Sequence, residues 1–321
     1  MTVFEQINQL GASQTPFFFM IDFEMNQPVV LPAGQIDAED LLFKVGVHTN
    51  FQKVEYPKPS SIQFEKFPLP YERYKKAIDY VIQEEKKGNS YLVNLTFPTQ
   101  IETNLSLKEI FCLSHAPYRL WYKDEFVVFS PECFVKIIDG KIASYPMKGT
   151  IDASIENAAE IILGDQKEAA EHATIVDLIR NDLSLFAEKV TVEKYRYLET
   201  IETKDKKLLQ VSSKITGVLP DNYTENLGAI LETLLPAGSI SGAPKKKTVE
   251  IIQHAEHEIR GFYTGVFGFF DGKNLNSAVM IRFIEQKNGQ LFYRSGGGVT
   301  ARSEPAKEYQ ELIDKVYLPF V

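Results

Sequence analysis

The chain has 321 residues, of which 44% are hydrophobic and 24% charged, a balance typical of a globular protein with a sizeable core. Its formal net charge is −8, and its densest basic run, Lys245 to Lys247, is too short to form a basic patch. Because a negative field repels phosphate backbones, we do not expect nucleic-acid binding.

The cysteines and the amino-terminal residues indicate the compartment. Cys112 and Cys133 show no CxxC spacing, which argues against a disulfide framework or a zinc site and suits a reducing environment. The first residues lack a basic region followed by a long apolar stretch, so we expect no signal peptide. The early apolar run from Phe17 to Ile21 is far below the about 18 residues that a membrane span requires. The sequence therefore predicts a cytoplasmic protein without membrane contact.

The first half of the chain is predicted to combine strands with a few helices. Residues 1–66 contain short apolar pieces separated by prolines, including Pro57 and Pro59, and predict strands and turns. An apolar stripe at helical spacing predicts a helix from Pro70 to Lys87. The further predicted elements are, in order, a strand over 90–101, a helix over 106–114, strands over 118–123, 125–130 and 133–138, and an Asp139-Gly140 hairpin turn into 141–150.

The second half is predicted to open with a long helix from about Lys167 to Phe186. The elements predicted after it are strands and turns over 189–219, a helix over 224–235, a glycine-rich loop over 236–244, a helix from about Lys246 to His257, strands over 261–270, 276–285 and 290–295, and a helix from near Ser303, which can cap it. Strand pairs joined by tight turns, with helices between them, indicate the α+β class with antiparallel sheets and not a βαβ repeat.

An acid and an amine lie close together in the sequence. Glu132 follows a predicted strand in the segment SPE, and Lys148 lies between Pro146 and Gly149, which predicts a rigid turn. One interpretation is a pair of surface residues; the other is a general acid beside an amine nucleophile. The second interpretation requires a lowered pKa of the lysine, because a free lysine is almost fully charged at pH 7 and needs desolvation or a nearby cation to become a nucleophile.

Acidic residues also recur on two predicted helices. Glu171 lies in line with apolar residues of the long helix, either at the edge of the stripe or as a buried carboxylate with a partner. Glu308, Glu311 and Lys315 share a face of the C-terminal helix, which suits a solvated helix with an ion pair. Alternatively, Glu311 is half of a Mg²⁺ site, since this ion prefers carboxylates with water and a substrate anion, and two glutamates from distant helices would fit.

Two glycine-rich segments, LLPAGSISGAPKK and YRSGGGVTARS, complete the candidate motifs. Glycines let backbone N–H groups approach an anion closely. The first segment lacks the spacing of a P-loop. The glycine run Gly296 to Gly298 also suits a mobile loop, and the segment alone does not choose between these interpretations.

Taken together, the motifs resemble those of the chorismate-utilising enzymes, from about Pro68 to Val316. The motifs, in the family's order, are GNSYLVNLT, SPE, YPMKGT, KEAAEHATIVDLIRND, LLPAGSISGAPK with IRGFYTGVFG, and AVMIR with SGGGVTARSEPAKEYQE. The resemblance implies one large α+β domain over 1–321, with two antiparallel sheets packed around a buried site and outer helices. It divides the domain into a shortened strand-rich part, 1–67, and a chorismate-binding core, 68–317.

The resemblance also implies roles for individual residues. It implies Mg²⁺ at Glu171 and Glu311, with Glu308 beside them, and Glu132 as the general acid that protonates the departing C4 hydroxyl of chorismate. The residues that match substrate-binding or neighbouring family positions are Arg282, Tyr263, Ser241, Gly296, Gly297, Gly298, Lys245, Lys315, Thr150 and Gln210, the last standing where the family usually has histidine.

Position 148 indicates the branch of the family. Anthranilate synthases carry alanine there, whereas aminodeoxychorismate synthases carry the lysine that this chain has. The resemblance implies that Lys148 attacks C2 of chorismate and expels the C4 hydroxyl, after which ammonia adds at C4 and displaces the lysine. Isochorismate and salicylate synthases have a water-activating lysine near the position of Asn94, which this chain lacks. The sequence therefore predicts C4 amination, with anthranilate synthase component I as the alternative and a non-catalytic anion-binding module as a remote one.

The resemblance has two further implications. Neither cysteine lies in a glycine-flanked nucleophile turn, so ammonia is expected from solution or from a separate glutamine amidotransferase subunit. The amino-terminal part is shorter than in relatives with a tryptophan pocket, so feedback regulation by tryptophan is not expected.

Overall fold

The computed structural model describes residues 1–52, 61–202, 207–318 and 320. The predicted turn at Pro57 and Pro59 lies outside these residues. The elements of the first half are α1 (Val3–Ala12), β1 (Phe17–Ile21), β2 (Val29–Pro32), β3 (Leu41–Val45), β4 (His48–Thr49), β5 (Phe64–Phe67), α2 (Tyr71–Lys86), β6 (Leu92–Thr103), α3 (Leu107–Leu113), β7 (Tyr118–Tyr122), β8 (Phe126–Ser130), β9 (Cys133–Ile138), β10 (Lys141–Ser144) and β11 (Met147–Asp152).

The second half continues with helices on both sides of a long hairpin. Its elements are α4 (Ala158–Gly164), α5 (Gln166–Leu183), β12 (Glu188–Glu202), β13 (Lys207–Val218), α6 (Leu227–Leu234), α7 (Gly238–Ser241), β14 (Gly242–Ala243), α8 (Lys245–Glu256), β15 (Val266–Phe270), β16 (Leu275–Val279), β17 (Phe283–Lys287), β18 (Gln290–Val299) and α9 (Pro305–Asp314). None of the helices in the described part of the chain is long and apolar enough to cross a membrane.

Within the described residues, the strands form two nine-stranded antiparallel sheets. The first has the order β11-β13-β10-β9-β16-β15-β1-β2, with β12 also paired to β13. The second has the order β14-β6-β18-β17-β8-β7-β3-β4, with β5 paired to β6. The predicted α+β fold with two antiparallel sheets is confirmed. Strands that precede residue 68 belong to both sheets, and the proposed division at 67/68 stays a prediction.

The alternation of side chains along the strands sets the layers of the core. In β1, Phe17 and Phe19 pack toward α1, α5 and α6, whereas Phe18 and Met20 contact side chains of the second sheet. The layer that joins the sheets contains Phe43, Val128, Phe267 and Phe283. Helices α2, α8 and α9 cover β6 on the outer side of the second sheet. The two sheets therefore share an apolar layer, and helices bury their outer faces.

Four of the predicted elements are wrong in type or extent. Residues 3–12 form α1 and not strands, since Thr2 and Glu5 make a capping box at its start. The predicted strand 276–285 is two strands of different sheets, β16 and β17, separated at Arg282, which has φ +53°. The predicted loop 236–244 contains α7 and β14. The predicted strand from Gly261 begins at Val266, after a turn.

Three local expectations are also corrected. Lys148 lies in β11, next to a bulge at Gly149, and not in a rigid turn. The glycines 296–298 continue β18, paired with β6, and are not a loop. Ser303 does not cap α9; Glu304 is the N-cap residue, and the Ser303 hydroxyl accepts a hydrogen bond from the backbone N–H of Thr300.

Candidate active site

A cavity of about 620 Å³ opens between the two sheets and the helices α5, α7 and α9. Its walls come from β6, the turn after β8, β11, α5, α7, the turn before β17, β18 and α9. Most of the predicted site residues lie in these walls: Glu132, Lys148, Thr150, Glu171, Gln210, Tyr263, Arg282, Gly296, Gly297, Gly298, Glu311 and Lys315. Motifs that are far apart in sequence therefore meet in one cavity.

Lys148 is held in the cavity by a paired carboxylate. Its side chain is 21% exposed, and Nζ donates a hydrogen bond to Glu171 Oε2 at 3.2 Å. Burial disfavours the charged amine, but the carboxylates of Glu171 and Glu168 outweigh it and raise the pKa of Lys148 above its ordinary value. The net effect of these surroundings is to favour the charged amine, so burial alone does not produce the uncharged lysine that a nucleophile requires. Glu171 is a buried carboxylate with a partner and not the edge of an apolar stripe.

Glu132 has the surroundings of a proton donor. It lies in the turn between β8 and β9, and its Oε1 accepts a hydrogen bond from Ser239 Oγ at 2.6 Å. Burial raises the pKa of Glu132, although the Ser239 hydrogen bond and the charge of Lys148 oppose it. A carboxyl with a raised pKa retains its proton to higher pH, as a general acid must.

Two glutamates from distant helices converge on the glycine run of β18. A Cβ added at Gly298 would be 3.0 Å from Glu171 Oε2 and 3.0 Å from Lys148 Nζ. A Cβ added at Gly297 would be 3.1 Å from Glu311 Oε1. A side chain at either position would therefore crowd the carboxylates and the amine, which would have to shift by a few tenths of an ångström.

Further lysines neutralise the carboxylates. Lys315 Nζ is 2.7 Å from Glu311 Oε1 and donates to the carbonyl of Gly296. Lys167 Nζ is 2.6 Å from Glu308 Oε1 and 3.8 Å from Glu171 Oε1. Burial lowers the pKa of Lys315 even though Glu311 opposes the shift. The cavity is therefore a dense array of paired charges, which suits a substrate with several anionic groups.

The turns that precede β15 and β17 contribute a tyrosine and an arginine to the cavity wall. Arg282 Nη1 donates to the carbonyl of Lys315 at 3.2 Å, and its buried Nε has no hydrogen-bond partner. Burial raises the pKa of Tyr263 to about 12, so its hydroxyl is a neutral donor. Thr150 pairs with Gln210 across β11 and β13. A free guanidinium N–H and a neutral phenol are suitable groups to bind a carboxylate.

The structure does not bring Ser241, Lys245 and Glu308 into the lining. The Ser241 hydroxyl donates to the carbonyl of Ala237 at 3.0 Å inside the core. Lys245 opens α8 and turns back, pairing with Asp182 at 2.8 Å. Glu308 reaches the cavity only through Lys167. The turn of α7 explains the first displacement, because it aims Ser239 and not Ser241 at the cavity.

Sequence reasoning missed several lining residues. They are Ser239, Lys167, Glu168 and Arg294. Lys167 stands four positions before Glu171 on α5, and this i,i+4 spacing is a signal that was available in the sequence. Ser239 had no such signal, since only the path of α7 distinguishes it from Ser241.

The fold and the cavity define an α+β protein with a charged cavity between its two sheets and the helices that cover them. The family model of chorismate binding enzymes matches residues 32–319, and the chain belongs to this family. The resemblance to chorismate-utilising enzymes is thereby confirmed.

Two similar proteins cover nearly the whole chain. An uncharacterized PabA-like protein of Haemophilus influenzae is 51% identical over 315 residues, covering 98% of this chain and 95% of that protein. An uncharacterized PabA-like protein of Pasteurella multocida is 53% identical over 317 residues, covering 98% and 97%. Both matches therefore extend over nearly the whole of this chain and of the similar proteins.

A solved structure supports the fold independently. The menaquinone-specific isochorismate synthase of Escherichia coli matches with a TM-score of 0.72 and 15% identity, over 97% of this chain and 79% of that one. At this identity the likeness concerns the fold alone.

Proposed function

We propose that this protein is the chorismate-aminating component of an aminodeoxychorismate synthase, which converts chorismate and ammonia into 4-amino-4-deoxychorismate for 4-aminobenzoate and folate synthesis. The observation that carries the proposal is the position of Lys148. Its amine lies in the wall of the cavity, 3.2 Å from Glu171 Oε2, where the resemblance implies alanine in anthranilate synthases.

The reaction divides one substitution into two displacements. Lys148 first loses its proton to solvent, which neutralisation of the Glu171 carboxylate by a bound cation would favour. The uncharged amine then forms a bond to C2 of the ring, the double bonds shift, and the C4–O bond breaks. Glu132 gives its proton to the departing hydroxyl, which leaves as water. Ammonia then bonds to C4, the double bonds shift back, and the C2–N bond to Lys148 breaks. The lysine is thereby regenerated, and a proton from the added ammonia returns to Glu132.

The other residues of the cavity bind and orient the substrate. The unpartnered Nε of Arg282 and the hydroxyl of Tyr263 suit a substrate carboxylate. Lys315, which burial shifts toward the neutral form, stands beside the glycine run. Because Gly297 and Gly298 have no side chains, the end groups of Glu171, Glu311 and Lys148 lie against the backbone of β18 in the cavity wall.

The residues present fit Mg²⁺. Glu171 Oε1 is buried and has no hydrogen-bond partner, so a hard oxygen ligand remains available in the cavity wall that also holds Glu311. The described residues contain no group of three or more histidines, cysteines, aspartates or glutamates arranged around a metal position. Mg²⁺ requires only one or two carboxylates together with water and a substrate anion. When bound at Glu171 and Glu311, the ion supplies positive charge to the ring carboxylate.

Ammonia completes the substrate set. We propose that it comes from a separate glutamine amidotransferase subunit in the cytoplasm, because the sequence shows no glutaminase nucleophile turn. Ammonium salts are expected to replace that subunit in vitro.

A product assay tests the proposal. The pure protein is incubated with chorismate, Mg²⁺ and ammonium, and 4-amino-4-deoxychorismate is expected, which an added lyase converts into 4-aminobenzoate. A reaction without ammonium is the control and is expected to give neither product. Anthranilate as the product assigns the chain to anthranilate synthase component I, and unchanged chorismate removes the proposed function.

A further inference from the structure

A buried arginine lies behind the cavity wall and outside its lining. Arg260 is 1% exposed and pairs with Glu256, whose side chain is 2% exposed. Its Nε is 2.9 Å from Glu256 Oε2, and its Nη2 is 2.5 Å from Oε1. Glu256 also accepts hydrogen bonds from the backbone and hydroxyl of Thr96. A buried ion pair adds little stability compared with apolar residues of the same size, so its presence suggests a role in geometry.

The other contacts of the guanidinium reach the backbone of the cavity wall. Nη2 donates to the carbonyl of Asn94 on β6 at 2.6 Å, and Nη1 donates to the carbonyl of Ile240 on α7 at 3.2 Å. The Asn94 side chain donates to the same Ile240 carbonyl at 3.0 Å. Asn94 and Ile240 both line the cavity. One rigid, planar group therefore fixes the distance between strand and helix.

Helix α7 depends on such contacts for its position. It contains only four residues, Gly238–Ser241, and a single helical turn is not stable by itself. Ser239 precedes Ile240, the residue that Arg260 holds, and its hydroxyl donates to Glu132 Oε1 at 2.6 Å. A displacement of α7 would therefore move Ser239 and alter its hydrogen bond to the carboxyl group of Glu132.

We propose that Arg260 is a positioning residue, which fixes α7 so that Ser239 holds Glu132 Oε1 and the acid proton stays on Oε2, facing the leaving group. The inference rests on the proposed function only in that Glu132 is the acid. Arg260 lies outside the cavity lining and acts through Ser239.

A double-mutant cycle tests the coupling. Arg260→Lys keeps the charge but loses the planar fork, and is expected to lower kcat for chorismate consumption by about 10–100-fold, as small misplacements do. The KM for chorismate is expected to change by less than about threefold, since binding groups are untouched. In a Ser239→Ala background the same change is expected to lower kcat by less than about twofold. If the decreases in kcat caused by Arg260→Lys and by Ser239→Ala multiply in full in the double variant, the proposal is wrong.

A charge-free variant separates geometry from stability. Arg260→Met combined with Glu256→Gln removes both charges and keeps an acceptor for the N–H and hydroxyl of Thr96, so it is expected to lower the melting temperature less than Arg260→Met alone, which leaves Glu256 charged and unpaired. Its kcat is expected to stay as low as that of Arg260→Lys. A wild-type kcat in this variant shows that Arg260 only balances Glu256, and the proposal is then wrong.

A matched control is available on β7. Arg119 is also a buried arginine that donates to backbone carbonyls, those of Phe111 and Ser114, but it lies outside the cavity lining. Arg119→Lys is expected to lower the melting temperature and to leave kcat unchanged.

Hydrogen exchange gives a readout that does not require turnover. Arg260→Lys is expected to accelerate amide exchange in a peptide over 236–244 at least about tenfold, whereas Arg119→Lys leaves it unchanged. Unchanged exchange in Arg260→Lys contradicts the inference. If the wild-type chain does not consume chorismate, the proposed function fails alone, and the exchange result still decides whether Arg260 positions α7.

Discussion

Lys148 Nζ lies 3.2 Å from Glu171 Oε2, and both atoms lie against the backbone of Gly298. In the proposed mechanism this amine is the nucleophile, and this carboxylate is a ligand of the metal ion. Because Glu171 stabilises the charged form of Lys148, neutralising that carboxylate favours the uncharged amine. The pair therefore links the protonation of the lysine to the occupancy of the site.

Replacing the lysine tests its role directly. Lys148→Ala is expected to lower the rate of C4 amination by about 10³-fold or more, because the covalent route is lost. Chorismate affinity, measured by calorimetry, is expected to change by less than about fivefold. Lys214→Ala, which removes a lysine paired with Glu193 outside the cavity lining, is the control and is expected to leave the rate unchanged. Full activity of Lys148→Ala contradicts the proposed mechanism.

The glycine run separates activity from stability. In Gly298→Ala the new Cβ meets the ends of Glu171 and Lys148 at 3.0 Å, so these side chains must shift. We expect kcat to fall by about tenfold or more with a small change in melting temperature. In Gly296→Ala the Cβ meets the backbone carbonyl of Leu95 at 2.2 Å, which cannot yield. Gly296→Ala is therefore expected to lower the melting temperature more than Gly298→Ala does. If Gly298→Ala lowers the melting temperature more than Gly296→Ala, the described site is wrong.

The pH dependence of kcat/KM is expected to show the ionisation of Glu132, the proposed general acid. Glu132 must be protonated, and burial raises its pKa, so activity is expected to fall as the pH rises through that pKa. The Ser239 hydroxyl stabilises the charged carboxylate, so Ser239→Ala raises the pKa further and moves the alkaline limb to higher pH. Glu132→Gln is expected to remove the limb together with most of the activity. A limb that moves to lower pH in Ser239→Ala contradicts this assignment.

Metal binding is expected to require the converging carboxylates. Glu171→Gln and Glu311→Gln each remove a charged ligand and are expected to weaken Mg²⁺ binding in the presence of chorismate by about tenfold or more. Calorimetric titration of Mg²⁺ measures the effect without turnover. Glu193→Gln, a change outside the cavity lining, serves as the control. Equal Mg²⁺ affinity in all variants places the ion elsewhere.

Glu85 makes stability depend on pH. Its side chain is buried and both oxygens lack hydrogen-bond partners; burial, with a contribution from Glu171, raises its pKa to about 8 from an ordinary value of 4.5. The folded-state pKa lies above the unfolded one, so the stabilisation is complete below about pH 4.5 and is lost as the pH rises through about 8. Glu85→Gln is therefore expected to melt at higher temperature than the wild type at pH 9, with the difference shrinking toward pH 5.

The neighbouring Glu84 is the control for this measurement. Hydrogen bonds from Lys87 and Asn89 lower the pKa of Glu84, so its charged form is favoured in the fold. Glu84→Gln is expected to show no gain in melting temperature at pH 9. A gain there, or none in Glu85→Gln, removes the assignment of the effect to a buried neutral acid.

The sequence by itself determined the class of fold and the family. The helical stripe of α2 and the apolar run of β1 predicted buried elements, because periodicity follows from which face meets the core. The ordered motifs indicated the chorismate-utilising enzymes, and most of their predicted residues line one cavity. The capping box of Thr2 and Glu5 was also present in the sequence, although apolar strand-like segments nearby concealed α1.

Only the tertiary structure decided the direction of individual side chains. The sequence alone does not distinguish Ser239 from Ser241. The path of α7 directs Ser239 toward Glu132 and buries Ser241 in the core. The run 276–285 looks like one strand, yet Arg282 sends its two halves into different sheets. Arg260 gained its contacts from β6 and α7, which are remote in sequence. Local periodicity specifies which face of an element is buried, whereas the partner that a polar atom meets is set by elements that pack from elsewhere in the chain.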